Sequence, residues 1–97
     1  MVERIMLFKL NEPATRDELA SRTLATLSKI DDLEELSVGV PADDPSAKSW
    51  DLSVVMGVAN VALLNAVLGS TAFTNYLDDT MKDRYEVLKA WTFERLG

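Results

Sequence analysis

The sequence predicts an α+β fold of ferredoxin-like order: a four-stranded antiparallel sheet with its helices on one face. Three observations predict it. Four segments alternate or run apolar as strands do, two stretches repeat at helical spacing, and their order is strand, helix, strand, strand, helix, strand. No linker, repeat or low-complexity stretch divides the 97 residues, so 1–97 reads as a single domain long enough for a core of its own.

The first strand spans residues 2 to 10. In "ERIMLFKL" one face carries Arg4, Met6, Phe8 and Leu10 and the other Ile5 and Leu7, so both faces call for cover by protein. "NEPATRDEL" breaks the pattern, and Thr15 with Glu18 has the spacing of a capping box. Leu19, Thr23, Leu24, Leu27 and Ile30 then recur at helical spacing. Leu36, Val38 and Val40 alternate as a short second strand ending at Pro41. "PADDPSAKS" is expected to be a loop. Trp50, Leu52, Val54 and Met56 line one face of a third strand. Asn60 is placed to cap a helix over 61 to 68 that Gly69 ends, and Ser70 to cap another with Phe73, Tyr76, Leu77 and Met81 inward. The fourth strand covers residues 85 to 94.

Composition narrows the chemistry. There is no cysteine and no histidine, which removes disulfides, thiolate nucleophiles, imidazole bases and the usual zinc and haem ligands. The formal charge of −6 and singly scattered basic residues argue against nucleic acid or an anionic membrane as partner. No signal peptide is visible, and the longest apolar stretch, 54 to 68, is interrupted by Gly57 and Asn60 and too short for a membrane span. A soluble, cytoplasmic chain without a cofactor is expected.

Two helices can cover only one face of a sheet. The opposite face, read here as Met6, Phe8, Leu52, Val54 and Met56, would be an exposed apolar patch on a monomer. A second copy packed sheet against sheet would bury it with two-fold symmetry, giving a homodimeric α+β barrel.

The stretches "RIMLFKL", "SWDLSVVMGV", "ALLNAVLGSTAFTNYL" and "VLKAWTFE" together resemble the stress-responsive dimeric α/β-barrel (Dabb) family over nearly the whole chain. The resemblance implies a homodimer whose two sheets close a barrel. The family includes a plant polyketide cyclase, stress-induced proteins and many uncharacterised bacterial members. Cyclase-like members carry histidines where this chain has Arg4 and Leu52. Their His-Pro-x-His stretch corresponds to Gly69 to Ala72, a tyrosine to Ala66, and an aspartate on the last strand to about Thr92. Arginine stays protonated and cannot act as the base such a cyclase needs, so its mechanism is disfavoured and no catalytic residue is assigned.

Arg4 has two readings. The favoured one pairs it with an acid, Glu94, because the start of the first strand lies near the end of the fourth. The other makes it a fixed charge for a carboxylate or enolate at the mouth of a cavity. The candidate ligand site then comprises Arg4, Met6, Phe8, Leu52 and Val54 with Ala72, Tyr76 and Thr92. Trp50, Trp91, Tyr76 and Phe73 read as core or dimer contacts before ligand walls. The pairs Asp31-Asp32, Asp43-Asp44 and Asp78-Asp79 lack metal-loop spacing and read as solvated surface, so no metal site is assigned. Three functions stay open: binding of a small apolar or weakly acidic molecule, a cofactor-independent cyclase or monooxygenase-like enzyme, and a purely structural dimer with a filled barrel.

Overall fold

The computed structural model describes all residues 1–97. Strand β1, Val2–Leu10, enters the middle of the sheet. A single turn of tighter helix, Pro13–Thr15, leads into α1, Arg16–Leu27. Then come β2, Glu35–Gly39, a short α2, Asp44–Ser49, and β3, Leu52–Val58. Helix α3, Val61–Leu68, is followed by α4, Thr71–Asn75, which widens into a π-helical turn over Tyr76–Met81. Strand β4, Tyr85–Glu94, completes an antiparallel sheet of order β2-β3-β1-β4. The predicted fold class holds.

Caps hold most of the elements where the sequence places them. Asn60 accepts the Leu63 N–H at 2.9 Å and Ser70 the Phe73 N–H at 3.2 Å, which fixes the starts of α3 and α4. Gly69 closes α3 with an ordinary right-handed conformation. The expected capping box at Thr15 is absent: its hydroxyl donates instead to the Glu12 carbonyl at 2.7 Å. "PADDPSAKS" is not all loop, because Asp43 accepts the Ser46 N–H at 2.8 Å and starts α2. The Asx cap and a proline in the first turn, where a missing N–H costs nothing, outweigh the loop-like composition.

The register decides which face the helices cover. Met6 pairs with Val54, Phe8 with Leu52 and Arg4 with Met56, so these side chains share one face. All but Arg4 are buried at 0–2% exposure, in one fifteen-residue cluster with Leu19 and Leu27 of α1, Leu64 and Val67 of α3, and Phe73, Tyr76 and Met81. The face read above as open is therefore the helix-covered core. The open face is the other one: Ile5, Leu7 and Val55 are half-buried, and Val87, Trp91 and Phe93 are 38%, 45% and 54% exposed. Because β1 is apolar on both faces, its periodicity could not choose between them. The expectation of an uncovered apolar face survives, with different residues.

Candidate functional site

Arg4 lies on the helix-covered side of β1, opposite Thr92 on β4. Its Nη1 donates to the Thr92 hydroxyl at 3.1 Å. The Glu94 pair is not formed: Glu94 stands opposite Val2, is exposed, and no acid lies within ion-pairing distance of Arg4. The Arg4 Nε is buried and finds no hydrogen-bond partner in the chain. A guanidinium carries five donors and prefers a planar, two-oxygen acceptor. One neutral hydroxyl leaves that capacity largely unused.

The surroundings explain how such a cation persists. The helices shield β1 and β3 fully but reach β4 incompletely. On this face of β4, Leu88 and Ala90 are half-buried and Thr92 is exposed. Arg4 thus sits at the rim of the helix layer, beside the half-buried Leu88 and Ala90.

The remaining sequence candidates divide. Met6, Phe8, Leu52, Val54 and Tyr76 are brought together, but as packed core rather than as walls of an open space. None of the three cavities in the chain is lined by Arg4, Met6, Phe8, Val54, Ala72, Tyr76 or Thr92. Ala72 lies exposed in the first turn of α4. The Tyr76 hydroxyl meets the Thr23 hydroxyl at 2.8 Å inside the core. Burial pushes the Tyr76 phenol up to about 12, with the Thr23 hydrogen bond working the other way. It stays neutral at ordinary pH.

Asp51 is a buried acid whose role the sequence reading missed. It accepts from the Leu10 N–H at 2.9 Å and from Arg16 at 2.5 Å, with Lys9 at 3.8 Å. Burial alone would raise its carboxyl, yet these hydrogen bonds and charges hold it below the usual carboxylate range. It ties β1, α1 and the start of β3 together and is not poised as a base near neutrality. At the opposite end, Arg95 clasps Glu3 at 2.7 Å and Glu35 at 2.5 Å, and that hydrogen bond from Arg95 is the main cause lowering the Glu35 carboxyl. The acid pairs are exposed, and no group of three acids converges as a metal site would need.

The opening with the most apolar lining lies on the open face, beside Trp50. It measures about 340 Å³ and is floored by Leu7, Gly39 and Ser53. Sequence reasoning did not find it. Its signal was the small cross-strand pair Gly39 and Ser53 facing a large aromatic.

With the geometry in hand, comparisons with known proteins give the lineage. The family model for the stress-responsive A/B barrel domain matches residues 2–93. A Dabb family protein with a ferredoxin-like fold from Mesorhizobium loti has a TM-score of 0.82 at 12% identity, over 99% of this chain and 97% of that one. A dimeric protein of unknown function from Bacteroides fragilis, also ferredoxin-like, has a TM-score of 0.77 at 15% identity, covering 97% and 95%. An antibiotic biosynthesis monooxygenase has a TM-score of 0.72 at 14% identity, covering all of both chains. At these identities the likeness is one of fold. A search of curated proteins found no match.

Proposed function

The chain belongs to the stress-responsive A/B barrel domain family, and from that premise we propose that it is a homodimeric binding protein for small molecules carrying an anionic group. The observation that carries this reading is Arg4: a half-buried guanidinium with one neutral partner, no acid, and a buried Nε left free. A carboxylate docking there would accept two parallel N–H bonds, and the ligand's apolar part would lie along Ala90 and Leu88. Thr92 orients the guanidinium from the side. The dimer would form through the open face, whose Ile5, Leu7, Val55, Trp91 and Phe93 are apolar and uncovered in one copy. Solved relatives described as dimeric support that part of the reading.

The reading carries no catalysis. No histidine is present, Tyr76 is held neutral and Asp51 is locked in an ion pair, so the general acid–base groups of a cyclase are missing from the interior. The filled interior does favour one second reading, a dimer whose packing is its whole role.

Calorimetric titration with benzoate tests the choice. Binding should appear in the wild type, vanish in Arg4→Met and weaken in Arg4→Lys, whose point charge replaces a fork. Equal binding by Arg4→Met, or none by the wild type, would give the structural reading its place.

A further inference from the structure

We infer that, in the dimer proposed above, the two sheets stack with their strands running in opposite directions, setting Lys9 of each copy over Glu3 of the other. The arrangement rests on the reading of the open face as the dimer contact and specifies which residues meet there. Along that face of β1 stand Glu3, Ile5, Leu7 and Lys9: an acid, two aliphatics and a cation. Opposite them on β4, in the same order, stand Phe93, Trp91, Lys89 and Val87.

The pattern has a direction. Glu35 shares the Glu3 end, where Arg95 clasps both acids and leaves them in excess. Lys9 and Lys89 hold the other end. Lys9 lies 3.8 Å from Asp51, but Arg16 already neutralises that acid. Lys89 is exposed and enters no ion pair within the chain.

Sheets stacked face to face keep their strands within about 30° of alignment, so a two-fold dimer has two choices. With strands running the same way, each row across the sheet covers its own counterpart. Acids then close on acids and lysines on lysines, which is unfavourable in a closed contact. With strands reversed and the axis between Ile5 and Leu7, Glu3 meets Lys9 and Ile5 meets Leu7. The β1–β4 register carries the same axis to β4, where Trp91 meets Lys89 and Phe93 meets Val87. One axis thus yields an ion pair, two apolar contacts and a cation over an indole ring. Moving it onto Ile5 would set Glu3 on Leu7, and moving it onto Leu7 would set Lys89 on Lys89.

The test treats the whole wild-type protein with a carbodiimide, which turns a touching lysine and carboxylate into an amide. Glu3 and Lys9 are six residues apart on one strand, about 20 Å, so an amide between them must join two copies. Peptide mass spectrometry should find that amide. In a refolded mixture of nitrogen-15-labelled and unlabelled chains, it should join heavy peptides to light ones. Lys89→Glu places an acid against the indole and should weaken the dimer about tenfold or more in sedimentation. Benzoate binding at Arg4, on the other face, should be unchanged in that variant. A dimer that forms no Glu3–Lys9 amide overturns the arrangement while leaving the dimer reading in place, and this result needs no variant to fold. A folded Lys89→Glu dimer as tight as the wild type also overturns it. A wild-type chain that sediments as a monomer overturns the dimer reading and the arrangement together, and the benzoate titration judges Arg4 separately.

Discussion

The hydroxyl pair of Thr23 and Tyr76 offers the sharpest energetic prediction, because it is the polar contact buried between α1 and the π-helical turn. Thr23 is 0% and Tyr76 1% exposed, and their oxygens lie 2.8 Å apart. Tyr76→Phe keeps the ring and leaves the Thr23 hydroxyl unpaired, at a cost of about 1–2 kcal/mol. Thr23→Val strands the Tyr76 hydroxyl for about the same. If the two effects were independent, the double variant would lose about 2–4 kcal/mol. Replacing both partners by apolar groups of similar shape is nearly neutral, so the double variant should lose only about 1 kcal/mol and the coupling should exceed about 1 kcal/mol. In urea, with a slope near 1 kcal/mol per M for a small domain, each single change shifts the midpoint by about 1–2 M. Protein concentration must be held constant, because the stability of the proposed dimer would depend on it. Additive losses would refute the claim that these hydroxyls satisfy each other. The pH dependence gives a second handle. The folded phenol is raised from 10.0 to about 12, so its neutral form is favoured by folding. That stability is fully present below pH 10 and is lost as pH climbs toward 12, at up to about 1.4 kcal/mol per pH unit. Tyr76→Phe should lack that alkaline decline.

Other expectations follow the same logic. Asp51→Asn leaves Arg16 without its counter-charge and should destabilise by about 2–4 kcal/mol, seen in urea melts. The Asp51 carboxyl is depressed from 3.8, so the wild type holds this stability above about pH 4 and loses it as pH falls through the lowered value, a slope the variant should lack. Phe8→Ala, at a position 0% exposed and edge-on to Tyr85 at 5.3 Å, should cost about 3–5 kcal/mol. Arg4→Met breaks no ion pair and should leave the urea midpoint unchanged or raise it, whereas a hidden structural pair would lower it.

Legibility in the sequence tracked how singular each local signal was. Asn60 and Ser70 each head an apolar helical run and have one good use, so both caps and both helix starts were readable. The bounds of β1 and β4 were equally plain. The choice of covered face was not, because "RIMLFKL" satisfies either, and only pairing with Leu52 and Val54 resolves it. Helix α2 hid behind Pro and Asp, residues that serve loops and helix starts alike. Arg4 stood out as a cation on an apolar strand, but its want of an acid is a property of the register: Thr92, not Glu94, comes opposite. Asp51 was passed over because its partners, Arg16 and Leu10, are 35 and 41 positions away in the chain. The cleft beside Trp50 likewise depends on a cross-strand meeting of two small residues.

The most direct test of the anion-binding account is the Nε–H signal of Arg4 in a nitrogen-15 NMR spectrum, assigned by its absence from Arg4→Lys. Adding benzoate should shift that signal in a saturable way and slow its exchange with water, while the Nε–H signal of Arg16, whose guanidinium is already held by Asp51 through Nη2, stays still. An Arg4 signal that ignores benzoate at every concentration would contradict the account.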